Sequence, residues 1–203
     1  HTTNPFVTEY QYKNRNEFYT STLLEKISYS NDRPYIYAYD ANGNITSIST
    51  ENNGTQTLLV SYEYDALNQL VRENHAERNK TIVYTYDNGG NITSVKEYAY
   101  TTGAVSGTPI AEKTYTYGNT EWKDLLTNYN GTAITYDTIG NPLNWTNGKT
   151  FTWTAGRQLS GVTDANNTMA YTYDDNGIRT SKMVNGTKTD YYLNGTAIIM
   201  QKT

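Results

Sequence analysis

The chain has 203 residues, a formal net charge of −4, a pI near 5.2 and no cysteine. Without a dense Lys/Arg run, this charge argues against nucleic-acid binding, and no stretch approaches the ~20 apolar residues of a membrane span. The lack of cysteine excludes disulfides, thiolate zinc sites and a cysteine nucleophile. Mean hydropathy is −0.75, but 21 tyrosines supply large rings, so we expect a thin, amphipathic core rich in aromatic side chains.

The composition predicts an all-β protein. Tyr, Thr, Val and Ile favour strands, the many Gly and Asn residues favour turns, and no apolar pattern of helical period is sustained. In chain order, residues 1–34 are interpreted as a degenerate N-terminal repeat or lead-in, within which residues 22–27 could be a strand or a short helix. Residues 35–203 are interpreted as one continuous repeat domain.

A short unit, Tyr-x-Tyr-Asp-x-x-Gly-Asn, recurs along this domain. It is complete at residues 37–45 and 84–92, and residues 134–142 lack only the first tyrosine. Units separated by roughly 20 residues are the size of a β-hairpin with its connection. Looser copies lie at residues 62–70, 115–119, 151–159 and 171–179.

The residues that define the unit are predicted to act structurally. Asp at the first and Gly at the fourth position fit a type I turn, in which the Asp carboxylate accepts backbone N–H groups and the Gly takes positive φ. These residues are Tyr37, Tyr39, Asp40, Gly43, Asn44, Tyr62, Tyr64, Asp65, Asn68, Tyr84, Tyr86, Asp87, Gly90, Asn91, Tyr136, Asp137, Gly140, Asn141, Trp153, Gly156, Arg157, Tyr171, Tyr173, Asp174 and Gly177.

Successive hairpins are expected to pair edge to edge, because one hairpin alone is marginal in water. Side chains two apart on a strand share a face, so each Tyr-x-Tyr pair forms a two-ring patch. The predicted fold is therefore a set of tandem β-hairpins in a curled or spiral antiparallel sheet whose strands carry ladders of tyrosine rings.

The repeated Tyr-Asp and Gly-Asn pairs resemble the YD repeats of bacterial Rhs proteins, wall-associated toxins and the C component of Tc toxins, to which the teneurin barrel is related. The resemblance spans residues 35–194, and residues 153–159 look like a Trp-x-x-Gly-Arg-x-Leu variant of the repeat. In this family the repeats wind into a hollow β-shell that commonly encloses a variable C-terminal toxin. The resemblance therefore implies a secreted or cell-surface bacterial protein, Gram-positive, of the polymorphic-toxin type.

A departure from the family pattern makes the chain look like an internal segment. Complete shells end in an Asp-Pro-containing self-cleavage motif, whereas the four prolines here follow Asn4, Arg33, Thr108 and Asn141. The expectation is a scaffold segment, too short to close a shell alone, whose partner is the rest of a longer chain with its C-terminal toxin cargo.

No enzyme or metal site is predicted, and no cofactor is expected. The oxygen-rich residues 40–51 lack the sixth-position glycine and the helices of an EF-hand, and the Gly148-Lys149-Thr150 run has Leu143 where a phosphate loop needs glycine. His75, the one internal histidine, is interpreted as a solvated residue of a polar connection. Asp174 and Asp175 lie in a turn, which they are expected to cap.

The alternative to a scaffold is a module that binds cell-wall or surface carbohydrate. Flat indole rings can stack on sugars, and the candidate platforms are Trp122, Trp145 and Trp153. The competing interpretation is that these rings pack against the sheet. The Asn-x-Thr sequons at Asn44, Asn91, Asn130 and Asn185 are read as repeat composition and not as glycosylation sites.

Overall fold

The computed structural model describes residues 7–16, 19–30 and 32–203, and every regular element in those ranges is a β-strand. The chain divides into two compact units, residues 1–113 and 114–203, and the division falls within β9. The strands up to that point are Thr8–Asn16 (β1), Tyr19–Tyr29 (β2), Asp32–Tyr39 (β3), Ile45–Asn52 (β4), Thr55–Tyr64 (β5), Leu70–His75 (β6), Lys80–Tyr86 (β7), Ile92–Ala99 (β8) and Ala111–Thr116 (β9).

In the first unit the strands lie side by side in chain order, and each strand from β2 to β8 is antiparallel to the one before it. Each of these repeat copies is one hairpin: the copy at Asp40 joins β3 to β4, the copy at Asp65 joins β5 to β6, and the copy at Asp87 joins β7 to β8. The pairing of β4 with β5 and of β6 with β7 joins one hairpin to the next.

The second unit follows the same rule. The end of β9 pairs with β10, β10 pairs with β11, and the strands from β12 onward form a sheet in chain order. Its remaining strands are Asn128–Tyr129 (β10), Thr132–Ala133 (β11), Asn144–Trp145 (β12), Lys149–Thr154 (β13), Gln158–Thr163 (β14), Thr168–Tyr173 (β15), Arg179–Val184 (β16), Thr187–Asn194 (β17) and Ala197–Lys202 (β18).

The predicted all-β fold of tandem antiparallel hairpins is confirmed. Residues 22–27, for which strand and helix were both open, lie within β2. Residues 100–110, between β8 and β9, contain no regular element. The boundary proposed between residues 34 and 35 stays a prediction, and its lead-in includes residues 1–6, 17, 18 and 31, which lie outside the described residues.

The core is thin, as the composition indicates. Among the described residues the buried apolar ones are Val60 and Ile134, which are 6% and 5% exposed. The other buried positions are polar, namely Ser49, Thr50, Asn74, Thr81, Ser94, Asn141 and Ser181. Tyrosine rings and short hydroxyl side chains therefore take the place that aliphatic residues fill in an ordinary globular domain.

Candidate functional site

The Tyr-Asp-Gly-Asn unit forms a compact, repeated turn. Asp40 Oδ1 accepts the backbone N–H groups of Asn42 and Asn44, both at 2.9 Å, and the Asn44 side-chain amide donates to Asp40 Oδ2 at 2.9 Å. The Gly43 N–H donates to the Asp40 carbonyl, and φ of Gly43 is +87°. The Asp side chain thus closes the turn that the sequence predicts, and its oxygens are occupied by donors of the same unit.

The other copies repeat this geometry with changes that follow their sequence. Asp87 and Asp137 accept the same two backbone N–H groups and the side-chain amide of the following Asn. Asp65 and Asp174 are followed by Gln69 and Ile178, and there the carboxylate binds the backbone N–H groups. The predicted positive φ is confirmed at Gly43, Asn68, Gly90, Gly140 and Gly177.

One such turn was missed by the sequence interpretation. Asp164 Oδ1 accepts the backbone N–H groups of Asn166 and Asn167 at 2.9 and 2.8 Å. This turn is shorter by a residue and lacks both the preceding tyrosines and the glycine. The signal that could have found it is an Asp followed by Asn two and three residues later between two strand-like segments.

These hydrogen bonds favour the ionised carboxylate. The Asn44 side-chain amide, followed by the backbone N–H groups of the turn, lowers the pKa of Asp40 below its ordinary value of 3.8. The backbone N–H and then the side-chain amide of Asn91 lower the pKa of Asp87, and the backbone N–H of Asn141 lowers that of Asp137.

Acid is therefore expected to destabilise the repeat turns. A carboxylate with a lowered folded pKa contributes stability above its unfolded pKa, near 3.8, and loses it as the pH falls through the folded pKa. The free energy of unfolding should fall as the pH drops below about 4, and Asp40→Asn should flatten that slope in urea unfolding at pH 2 to 6. Asp175→Asn, at an exposed position, is the control, and an equal slope in the wild type and in Asp40→Asn would contradict the prediction.

In six of the units the second ring bonds to the backbone of the segment before it. The Tyr64 hydroxyl donates to the carbonyl of Ile45 at 2.9 Å, and the Tyr86 hydroxyl donates to the carbonyl of Leu70 at 2.7 Å. Both acceptors lie five residues after the Asp of the preceding repeat. The same bond is made by Tyr39 to Leu24, Tyr136 to Leu126, Tyr173 to Leu159 and, through the indole nitrogen, Trp153 to Pro142.

In five of these hairpins a β-bulge, whose extra residue lies on the second strand, shifts the register directly before the second ring. The register shifts fall between Ala38 and Tyr39, between Glu63 and Tyr64, and at the equivalent positions before Tyr86, Trp153 and Tyr173. Bulges re-aim side chains, and here each one lies beside the ring that reaches the neighbouring repeat. Burial raises the pKa of Tyr39, Tyr64, Tyr86 and Tyr136 above 10.0, so these hydroxyls remain donors at neutral pH.

The turns of neighbouring repeats also contact each other. Asn68 Oδ1 accepts the side-chain amides of both Asn42 and Asn44, at 2.9 and 2.8 Å. In the second unit, the Asn141 amide donates to the Gly156 carbonyl at 2.6 Å and Arg157 donates to the Ile139 carbonyl at 2.9 Å. The residues that define the repeat are thus engaged in holding one hairpin against the next.

The copy at residues 134–142 departs from the regular hairpin. Its two arms share an isolated bridge between Tyr136 and Pro142 instead of a ladder, because Pro142 has no N–H to donate. The Asn144 side chain replaces part of the missing ladder by accepting from Thr135 N–H at 2.7 Å and donating to the Ala133 carbonyl at 2.7 Å.

The interpretation of His75 as a solvated loop residue is wrong. Residues 70–75 form β6, and the His75 side chain is 16% exposed with its Nε2 2.6 Å from the Glu73 carboxylate. The Tyr84 hydroxyl donates to the other oxygen of Glu73. The polar residues around His75 suggested a loop. However, charged and amide side chains that pair with one another can also occupy a strand that lies between two strands carrying tyrosines.

A buried polar network holds the loop after β8, and nothing in the sequence pattern predicted it. Thr81 is fully buried, and its hydroxyl donates to Asn74 Oδ1 at 3.0 Å and accepts the Thr101 N–H at 3.0 Å. Arg72 donates to the carbonyls of Thr101 and Gly103, both at 2.7 Å. The residues of this polar network lie on β6, on β7 and in a loop distant in the sequence, so their spacing along the chain does not predict the network.

The three candidate glycan platforms lie in different surroundings. The Trp145 ring stacks on Tyr129, with centroids 5.3 Å apart and planes at 13°, and Trp153 donates its indole N–H to the Pro142 carbonyl at 2.7 Å. Trp122 is 48% exposed and lies over Gly140 beside a cleft of about 470 Å³. No ring contact joins any two of these three indoles in the part of the chain that the structure describes, and the carbohydrate platform stays a prediction.

The oxygen-rich residues after Asp40 do not assemble a cation site, because their carboxylate accepts the turn's own N–H groups. Within residues 7–16, 19–30 and 32–203, no cluster of His, Asp and Glu has the arrangement of a metal site. The same residues include no helix that could cross a lipid bilayer.

Comparison with known proteins places these hairpins in a recognised repeat class. The family model described as "RHS Repeat" matches residues 39–80, which contain the Asp40 turn, the Asp65 hairpin and the Tyr64 hydrogen bond between them. No curated protein is significantly similar to the chain.

Solved structures share the fold over nearly the whole chain. The Tc holotoxin pore of Photorhabdus luminescens matches with a TM-score of 0.63 at 20% identity, covering 94% of this chain and 10% of that chain. A crystal structure of TcdB2-TccC3-TEV gives 0.63 at 19% identity, with 97% and 12% covered, and one of TcdB2-TccC3 gives 0.60 at 18%, also with 97% and 12% covered. The chain spans about a tenth of the length of these structures.

Proposed function

Since this chain is an RHS/YD-repeat protein, we propose that it is a non-catalytic structural segment of a longer secreted or surface bacterial protein. In this proposal the repeats form part of a β-shell that encloses or presents a C-terminal toxin, and the partner of the segment is the rest of its own chain. The likeness to structures of Tc toxin assemblies supports the fold on which the proposal rests.

The characteristic side chains of each repeat are used for structural hydrogen bonds, and this supports the proposal. The Asp carboxylate closes its own turn, and the second ring donates to the backbone of the preceding repeat. A catalytic constellation needs a reactive group directed at a substrate, whereas these groups are consumed in joining hairpins. This arrangement is suited to building a wall that lengthens as hairpins are added.

The test is limited proteolysis of the longer protein with and without residues 1–203. The C-terminal region should be protected in the intact protein and cut rapidly after the deletion. A second arm uses the full-length protein with Tyr64→Phe and Tyr86→Phe together, which removes two bonds between repeats but leaves the chain length unchanged. Equal cleavage of the C-terminal region in the intact and deleted proteins would refute the enclosure.

Carbohydrate binding is the second candidate, and Trp122 favours it. Its ring is half-exposed, its indole N–H has no acceptor in the part of the chain that the structure describes, and Asn119, Glu121 and Thr138 line the same cleft. A flat ring beside polar side chains suits a sugar. Saturable binding to cell-wall saccharides should be lost in Trp122→Ala and kept in Leu67→Ala, a control at another exposed apolar position. A blank saccharide panel would remove this candidate.

A further inference from the structure

A second cleft, of about 330 Å³, lies within the first unit and is made chiefly of rings and aliphatic groups. Three phenol rings from β2 and β3 line it together with three aliphatic side chains from β4 and β5. These six are Tyr29, Tyr35, Tyr37, Ile48, Leu59 and Val60. The volume lies at the lower end of the range for small-molecule sites, which are predominantly apolar with a few polar groups.

The cleft is formed by the folded sheet itself. Leu59 is the extra residue of a β-bulge, since its neighbours Val60 and Leu58 pair with the consecutive residues Ile48 and Ser49. Because of that bulge, two successive side chains, Leu59 and Val60, line the same cleft. The rings of Tyr29 and Tyr35 meet edge to face with centroids 6.3 Å apart, so one wall is fixed by ring packing.

Two consecutive residues of opposite charge line this cleft. Glu77 and Arg78 belong to the turn between β6 and β7, and both are exposed. Neither forms an ion pair or a side-chain hydrogen bond within the described ranges of the chain. His75 also lines the cleft, and its Nε2 is occupied by Glu73, which leaves Nδ1 as the nitrogen available for another partner.

We propose that this cleft binds a small aromatic zwitterion, namely an aromatic α-amino acid. The ring of the ligand would pack among the tyrosines and aliphatic side chains, its carboxylate would pair with Arg78, and its ammonium group would pair with Glu77. This inference is independent of the shell role, because it concerns a ligand of the repeat unit itself.

The match of charges distinguishes this ligand class from the alternatives. A purely apolar molecule would gain nothing from the exposed charges of Glu77 and Arg78, and an aromatic anion would meet the Glu77 carboxylate as well as the Arg78 guanidinium. A zwitterion satisfies both, and charge-assisted hydrogen bonds to a carboxylate are stronger than neutral ones. The aromatic ring is favoured over an aliphatic group because ring pairs add to the burial of apolar surface.

The experiment titrates the 203-residue chain with three probes that share an indole ring. L-Tryptophan carries both charges, indole-3-propionate keeps the carboxylate, and tryptamine keeps the ammonium group. Isothermal titration calorimetry should rank L-tryptophan first. Arg78→Gln should weaken L-tryptophan and indole-3-propionate about fivefold and leave tryptamine unchanged, whereas Glu77→Gln should weaken L-tryptophan and tryptamine and leave indole-3-propionate unchanged.

Arg33→Gln is the matched control, because it removes the same charge from an exposed residue of β3 that does not line the cleft. It should bind all three probes as the wild type does. Absence of saturable L-tryptophan binding would overturn the assignment. So would an equal loss for all three probes in Arg78→Gln or Glu77→Gln, since the cleft would then be distorted instead of deprived of one charge.

Discussion

Gly140→Ala is expected to lower the free energy of unfolding of the second unit by about 2–4 kcal/mol. Gly140 has φ of +86°, which a residue with a Cβ adopts at a cost of about 1–2 kcal/mol. In addition, the new Cβ would lie 2.4 Å from Cζ3 and 3.0 Å from Cη2 of Trp122, so the indole ring must leave its place over the turn. Urea unfolding followed by circular dichroism measures the loss.

The control for this variant is Gly131→Ala. Gly131 has a similar φ of +80°, but nothing lies within 4 Å of its added Cβ, so that substitution carries the backbone cost alone. The double variant Trp122→Ala/Gly140→Ala should recover the part that comes from the ring, and the double-mutant cycle measures it. If Gly140→Ala and Gly131→Ala lose equal stability, then the contact with Trp122 contributes nothing.

Tyr86→Phe is expected to destabilise the first unit by about 1–2 kcal/mol, although it removes a single oxygen atom. The Tyr86 hydroxyl donates to the Leu70 carbonyl at 2.7 Å, and the phenyl ring of the variant would keep the packing while leaving that carbonyl one donor short. Chemical unfolding of the chain at neutral pH measures the change, because the hydroxyl is protonated there.

Tyr35→Phe is the matched control for the hydroxyl. Tyr35 is 37% exposed and its hydroxyl makes no hydrogen bond to the described part of the chain, so its loss should cost less than about 0.5 kcal/mol. Equal stability of the Tyr86→Phe variant and the wild type would mean that the tyrosine-to-carbonyl bond does not couple the repeats. In that case the main support for the wall-building role would fall away.

Local chemistry made the hairpins predictable. An Asp that can accept N–H groups two residues on, and a Gly or Asn that tolerates positive φ, specify the turn within a few residues, so Asp40 and Gly43 behave as expected. The alternation of tyrosines with small residues around Tyr37 specifies a strand in the same way. The association of successive hairpins followed from the weakness of one hairpin by itself.

The hydrogen-bond partners that join one repeat to another could not be predicted from local chemistry. The acceptor of the Tyr86 hydroxyl is a backbone carbonyl in another repeat. Because every residue has such a carbonyl, the sequence does not indicate which one accepts the hydrogen bond. The surroundings of His75 were misjudged for a related reason. Its partner Glu73 stands two positions away on the same strand, and pairing of this kind becomes visible only when the strand is known.

The all-β class, the repeat and its turns follow from the sequence alone, because they depend on side chains that act on their own backbone within four residues. Which side chains connect one repeat to another is visible only in the folded sheet. The same holds for the reduction of the copy at residues 134–142 to an isolated bridge by Pro142, and for the position of Glu77 and Arg78 beside a cleft lined by Tyr35 and Val60. Those features depend on strand register and bulges, which bring together residues from different strands.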